Sequence, residues 1–599
     1  MAAATATAPG SATTPPEPNP PRSRRWRDAA RPRAIGLHGP ALALLLVVSL
    51  VLRLWGIKQG LPYSYNIDEA THFVPRAIAF FGHDLNPHYF LNPPAYSYLL
   101  HGVLELWFGS GDAAVRSYAN DPTAVFVVAR VVAAVLGTIA VALTYLAGTR
   151  LFNRNVGLLA AAIFGLAFLP VFYSHLALND VPTLAPVALA LYGAGGVVRR
   201  GRLRDYAFAG LGIGLGAATK YTAGITLVCL VAATVCDAAG GTPRVAVRNL
   251  VIAGLVALAT FALANPYAVL HFGEFRSGLS QQASLAAGSD PFKLGLHQGS
   301  GTAYYLWTFT WGLGWGPSLA ALGGAGLLLA RRKLGMALVL IPAPIAFVIF
   351  MGDQQRFFGR WLMPVFPIVA ILAAYGAVEL VRWLARTRRV PAAVGGGLVA
   401  VLMLAQSAVA VIHSDAVLSR PDTRSVTRTW MVHHLPAGAK VVIEPLVPDD
   451  WASDVGRSLP WTPTGERWVR WPTWLTPFAA DGTLLPDGQR RYVLVDQYER
   501  SLQPALLDQY AASGYCWIVL GSLQAGRAFA DPRADPGAVA YYAQLAQRSR
   551  LVYHVSPFPR DAHPVPFSFD WSIDYYPRQY RLPGPEMSVY RLTGAQCGS

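Results

Sequence analysis

The chain has 599 residues, of which 53% are hydrophobic and only 14% charged, against roughly 25% charged in a soluble domain. With a mean hydropathy of +0.35, this excludes an ordinary cytosolic enzyme and a disordered protein. The net charge of +16 would suit phosphate partners, but in so apolar a chain Lys and Arg collect in cytoplasmic loops, and no nucleic acid is needed to explain it.

Residues 1–35 are rich in Pro, Ala and Arg, lack an apolar period, and are expected to form a disordered cytoplasmic tail. Apolar stretches near the ~20 residues that cross a bilayer then recur at 36–57, 124–149, 156–174, 181–198, 249–270, 304–330, 334–351, 357–380 and 391–412. The stretch 206–236 is interrupted by Lys220 and reads as two short helices meeting at Lys220 and Tyr221. That makes about eleven transmembrane helices.

The stretch 91–108 opens on Asn92-Pro93-Pro94 and holds His101 and Glu105. If it crossed the bilayer with the tail inside, the Arg-rich loop 199–204 and those after it would lie outside. The positive-inside rule therefore makes it an interfacial helix in a first outer loop of 58–123. On this topology the cytoplasmic segments carry 21 basic and five acidic residues, the whole of the +16.

Beyond residue 412 the composition turns polar, and 413–599 reads as a soluble α/β domain outside the membrane. Strands are expected at 441–444, 492–496, 516–521, 551–555 and 587–592, and helices at 425–434, 504–513 and 538–548. Cys516 and Cys597 share this domain and an oxidising compartment, where a disulfide is permitted. The terminal position of Cys597 argues against one. Cys229 and Cys236 read as small packing residues. The fold class is thus mostly α: a multi-pass plasma-membrane protein with a cytoplasmic N-terminus and an extracytoplasmic C-terminal domain.

Acidic residues are few between 36 and 412, and most fall on the outer side. Asp68 and Glu69 are adjacent in Tyr65-Asn66-Ile67-Asp68-Glu69-Ala70-Thr71-His72. Carboxylates at a membrane surface cost desolvation energy unless they are used or neutralised. One of them would serve as a general base on an acceptor hydroxyl or amine; equally, the pair suits the first turn of a helix. Asp180, in His175-Leu176-Ala177-Leu178-Asn179-Asp180-Val181-Pro182, suits the N-cap of the helix 181–198, with Pro182 in the first turn. A cap facing the same outer cavity as Asp68 can do both jobs.

Lys220, Arg356 and Arg360 are outer-side cations. Each needs a partner, and a phosphate is a natural one. Arg356 alone equally suits a pair with Asp353 or a snorkelling position; Lys220, at a break between helices, favours function. His72, His83, His88 and His101 lie in the first outer loop. Asp68 and His72, four apart, offer half a divalent-metal site, but no tight His pair completes it, and no cofactor is implied. Arg130 and the break at Lys220 also suit a transporter or flippase of lipid-linked glycans. Such proteins place ionisable groups near the midplane and in internal repeats, whereas here the acidic residues cluster at one surface.

These residues together resemble the GT-C membrane glycosyltransferases, and most nearly glycosyltransferase family 39. That branch includes the protein O-mannosyltransferases and the bacterial aminoarabinose transferases. The resemblance rests on Asp68-Glu69, on Asn92-Pro93-Pro94-Ala95-Tyr96, on Asp180, on Ala217-Ala218-Thr219-Lys220-Tyr221 and on Arg360-Trp361-Leu362-Met363-Pro364, and covers roughly 36–412. It implies inverting transfer of a sugar from a polyprenyl-phosphate donor, lying among membrane lipids, to a protein, cell-wall glycan or lipid acceptor. It implies that Asp68 is the base, with Glu69 and Asp180 positioning acceptor or sugar. Lys220, Arg360 and Arg356 would hold the donor phosphate, and Asn92, Tyr96, Tyr221 and His175 would position substrate. Displacement at an anomeric carbon needs those two charge types. The sequence departs from the aminoarabinose branch in lacking a Lys beside Pro93 and Pro94, which shifts phosphate binding onto Lys220 and the two Arg. The C-terminal domain does not resemble the repeat domains of eukaryotic protein O-mannosyltransferases.

Overall fold

A computed structural model describes residues 38–597, apart from residue 83, residues 288–298, residue 595 and parts of 455–464, 480–494 and 561–574. The expected tail 1–35 and His83 lie outside the described residues. The chain is mostly helical. Among the described residues, seven helices are long and apolar enough to cross a membrane, or eight if Arg154–Leu166 and Phe168–His175, bent by 58°, form one span. His38–Leu54, Leu184–Arg200 and Leu203–Thr219 have 17 residues each, just short of a straight crossing. The count of eleven spans expected is therefore not confirmed: the described residues give seven or eight.

The helices sort into an interior and a periphery. In Gly359–Thr387, 83% of the apolar window is buried, against 17% in Pro243–Ala264. On the latter, Leu255, Leu258 and Leu263 are 60–83% exposed, a face that only lipid covers without penalty. Glycines set the close helix contacts, as small residues do in membranes. A side chain at Gly193 would fall 2.4 Å from Ala209 N, and one at Gly212 would fall 2.5 Å from Ala190 N. This locks Leu184–Arg200 against Leu203–Thr219 and so fixes the loops at their ends, which carry Asp180 and Lys220.

The loop 58–123 carries a π-turn, Glu69–Phe73, and the helices Val74–Ala79, Ala95–Phe108 and Gly111–Asn120. At ~1.5 Å per residue, the 14 residues of Ala95–Phe108 are too few to cross a bilayer. Leu106 and Trp107 stay 86% and 69% exposed at its end.

The C-terminal region builds a five-stranded sheet from β1 (Lys440–Ile443), β2 (Val469–Arg470), β3 (Trp517–Gly521), β4 (Ser549–Val555) and β5 (Met587–Leu592), in the order β2-β1-β3-β5-β4. β1 runs parallel to β2 and β3, and β5 antiparallel to β3 and β4. The apolar runs Val441-Val442-Ile443 and Ile518-Val519-Leu520 divide between two cores by strand alternation. Val442, Ile518 and Leu520 face one; Val441, Ile443 and Val519 face the other. A sheet covered on both faces is what continuous apolar strands require.

The helices Thr423–His434, Leu506–Ala512 and Pro536–Arg548 stand close to the expected places. The expected strand at 492–496 is only the pair Arg491–Tyr492, followed by a 3-10 turn. β2 and the helix Ser522–Ala530 have no counterpart among the expected elements. Cys516 and Cys597 are joined by a disulfide, so the terminus is tied back to the start of β3.

The domain seats on the membrane part through Tyr65 Oη, 2.8 Å from Ser425 Oγ, and Tyr173 Oη, 2.9 Å from Tyr575 Oη. The Arg424 guanidinium lies 3.8 Å above the Tyr65 ring.

Candidate active site

A cleft of about 1120 Å³ runs between one set of helix ends and the C-terminal domain. Asp68, Asn92, Asp180, Lys220, Tyr221, Arg356 and Arg360 all line it. Two ion pairs form its charged end. Arg360 Nη2 donates to Asp68 Oδ2 at 2.5 Å, and Lys220 Nζ pairs with Asp180 Oδ1. The pairs are neighbours, since Lys220 feels the charges of Arg360 and Asp68 as well as that of Asp180.

Local structure explains each placement. The helix Leu203–Thr219 stops because Lys220 turns extended, at φ −152° and ψ 121°. Carbonyls freed at such an end need donors, and two side-chain amides supply them. Asn179 Nδ2 donates to Thr219 O at 2.8 Å and Asn265 Nδ2 to Ala218 O at 3.2 Å. The first ties Lys220 to the loop carrying Asp180. Arg360 stands in the 3-10 turn Gly359–Val365 that leads into Phe366–Thr387. Arg356 lies on the preceding loop, which is bound to the helix Phe272–Ala286 by Gln355 N donating to Ala286 O. Asn92 Nδ2 donates to Tyr89 Oη, and Tyr221 Oη to Phe90 O, both at 3.0 Å.

Three candidates do not reach the cleft. Glu69 is fully buried. Its carboxylate accepts from Arg130 Nε and Nη2 (2.8 and 2.7 Å), Ser64 Oγ (2.6 Å) and Ala177 N (2.7 Å). Four donors saturate the group, so adjacency in sequence separates Asp68 and Glu69 in role: one faces the cleft and the other anchors the turn beneath it. Arg130 also donates to the carbonyls of Ile57 and Gln59, which clamps the loop that delivers Asp68. Tyr96 is buried and donates to Ala129 O. His175 is buried with its ring nitrogens 3.1 and 2.8 Å from Phe172 O and Trp55 O. Asp180 is not the helix cap expected of it: the helix begins at Leu184 after Thr183, and the carboxylate turns to Lys220 instead.

His72, which the sequence offered only as half of a metal site, lies 3.7 Å from Asp68 and stacks on Tyr89 at 5.1 Å. Burial holds its imidazole below the usual 6.5 despite the nearby carboxylate, so it is neutral at pH 7. Groups that sequence reading did not select are Arg424, Arg470, Trp474 and Gln524, which line the cleft from the far domain; only a three-dimensional contact reveals them. Among the described residues, no group of three or more His, Cys, Asp or Glu side chains is placed to hold a metal.

No curated protein matches the chain. Among solved structures it is similar to ArnT of Cupriavidus metallidurans in the apo state, at 15% identity over 94% of this chain and 100% of that one, with a TM-score of 0.48. It is similar to the apo oligosaccharyltransferase of Archaeoglobus fulgidus at 14% identity, over 87% of this chain and 73% of that one, with a TM-score of 0.49. It is similar to the S. cerevisiae protein O-mannosyltransferase complex bound to the sugar donor at 22% identity and a TM-score of 0.33. That match covers 41% of this chain and 35% of the yeast chain, about a third of the latter's length. Residues 123–265, which carry Arg130, Asp180 and Lys220, match the model of the family described as dolichyl-phosphate-mannose-protein mannosyltransferase, and over that stretch the resemblance read in the sequence is borne out.

Proposed function

We propose that this chain is a membrane glycosyltransferase that moves a sugar from a polyprenyl-phosphate carrier to an acceptor on the outer face of the membrane, inverting the anomeric carbon. The observation that supports this most is the meeting, in one cleft, of the Asp68 carboxylate with the cations Arg360 and Lys220. An acceptor oxygen attacks C1, its proton passes to Asp68, and the C1–O bond breaks with its electron pair left on the phosphate. Arg360 and Lys220 take up that charge, which is worth most in a site shielded from water. Arg356, whose Nε is buried without a hydrogen-bond partner among the described residues, adds a further donor. Asn92 and Tyr221 position the donor, and Asp180 the sugar.

Each carboxylate of the site holds a cation, so the charges balance in pairs. A phosphate entering between Lys220 and Arg360 competes for both. Donor binding then frees Asp68 for the acceptor and Asp180 for sugar hydroxyls, so the base becomes available only once the donor is seated. Glu69, Tyr96 and His175 act through the scaffold. Arg130 is fully occupied by Glu69 and two carbonyls, and no observation favours a transport path through it.

Lys220→Ala and Arg360→Ala are each expected to weaken binding of polyprenyl phosphate by about 10- to 100-fold, as a charge-assisted hydrogen bond of ~1.5–3 kcal/mol implies. Titration of the lipid phosphate into protein in nanodiscs measures this, and unchanged affinity in both variants removes the phosphate site. The same reading places the N-terminus in the cytoplasm and the cleft outside. Asp112, exposed on the helix Gly111–Asn120, is then outside, and Asp112→Cys is expected to react with an impermeant maleimide on intact cells. Labelling only after permeabilisation would reverse the orientation.

A further inference from the structure

Sugar transfer occupies one end of the cleft; the other end is a built wall with chemistry of its own. β1, β2 and β3 run parallel, and the segments after all three line the cleft: residues 444–448, then Trp471, Thr473 and Trp474, then Leu523 and Gln524. Loops leaving the carboxyl ends of parallel strands diverge and leave a crevice where ligands bind.

The wall carries aromatic faces outside the membrane helices. Trp474 and Tyr492, 45% and 64% exposed, both line the cleft where Leu475–Thr476 pairs with Arg491–Tyr492, with Leu475 opposite Tyr492. Polar groups line the same wall. Gln524 is 4% exposed and donates from Nε2 to Pro445 O, yet among the described residues its Oε1 has no partner. Tyr498, 2% exposed, lines the same wall with its hydroxyl unpartnered among the described residues. A buried polar group left unpaired costs ~1–3 kcal/mol, so both sites are prepared for a ligand that supplies hydroxyls. Asp449 and Arg470, paired at 2.8 Å, add an acceptor and a donor at the rim.

Flat aromatic faces beside amide, phenol and carboxylate edges are the means of recognising a sugar ring, whose C–H face stacks while its hydroxyls donate and accept. An extended peptide would instead ask for an open strand edge; β1 and β3 are interior strands, and the edge strand that reaches the cleft, β2, is only the two residues Val469–Arg470. We infer that this wall is a subsite for a saccharide acceptor, whose terminal sugar reaches Asp68 while preceding units lie across Trp474 and Tyr492. The direction of that chain rests on the glycosyltransferase reading; the subsite does not.

The test uses the full-length protein in nanodiscs, probed with an array of neutral gluco-, manno-, galacto- and arabino-oligosaccharides. At least one series is expected to bind. Trp474→Ala and Tyr492→Ala, at exposed positions that leave the fold intact, are each expected to weaken it about tenfold, with Trp474→Phe restoring most of the loss. Polyprenyl-phosphate affinity should not move in any of the three. With the bound saccharide as acceptor, Trp474→Ala should raise KM and leave kcat unchanged, the mark of uniform binding. No binding by the wild type, undiminished binding by both alanine variants, or Trp474-dependent capture of peptides in place of saccharides would overturn the subsite. Saccharide binding that depends on Trp474 in a protein with no affinity for polyprenyl phosphate would uphold the subsite and remove the proposed function instead.

Discussion

Asp68→Asn is expected to abolish sugar transfer in a protein that remains folded and binds its donor at least as well as the wild type. The three parts follow from different features of the site. Asn keeps the shape of Asp but accepts no proton, and loss of a general base lowers rate by about 10²- to 10⁴-fold. The Asp68–Arg360 pair is partly open to solvent, with side-chain exposures of 27% and 15%, and a pair of that kind contributes only ~0–1 kcal/mol, so the melting temperature should hardly change. Donor binding should be retained or tightened because Arg360 no longer has to leave a carboxylate to meet the phosphate. Single-turnover release of polyprenyl phosphate measures the first part and lipid-phosphate titration the third. Wild-type turnover by the Asn variant removes Asp68 as the base. Weakened donor binding would show instead that the carboxylate organises the phosphate site.

This arrangement is only partly legible in the sequence. Hydropathy locates the helices because lipid demands apolar length, and the loop charges order them. Asp68, Asp180, Lys220 and Arg360 stand out because charge in so apolar a chain is costly without a use, and all four line one cleft. Sequence does not convey which neighbour of a pair faces inward. Glu69 is one residue from Asp68, and only the π-turn that begins there sends the two carboxylates apart. Asp180 obeys the logic of a helix cap in sequence, but the helix starts later, at Leu184. The distant wall is out of reach for a different reason. Trp474, Gln524 and Tyr498 come to the cleft through strand order, and parallel neighbours such as β1 and β3 are more than 70 residues apart in the chain with no local signal of their pairing.

The same contrast between adjacent carboxylates predicts the largest stability effect. Glu69→Gln is expected to destabilise the protein by about 3–5 kcal/mol, the cost of breaking a buried pair and leaving its partner charged and unmatched. Arg130 is 1% exposed and cannot turn to water for compensation. The amide has one oxygen where the carboxylate offered two to Arg130, Ser64 and Ala177. The loop held to Ile57 and Gln59 by the same guanidinium should loosen with it. Thermal unfolding in detergent should therefore show a lowered transition for Glu69→Gln where Asp68→Asn shows none. Turnover per folded molecule should fall far less than in the Asp68 variant. Glu69→Gln combined with Arg130→Met removes the stranded charge, so the double variant should lose less stability than the two single changes summed, a coupling that only contacting residues display. An unshifted transition with abolished turnover in Glu69→Gln would return Glu69 to the reaction itself. The saturated, buried carboxylate seen beneath the cleft would then have to open during each cycle, and the Asp68 variant alone would no longer define the base.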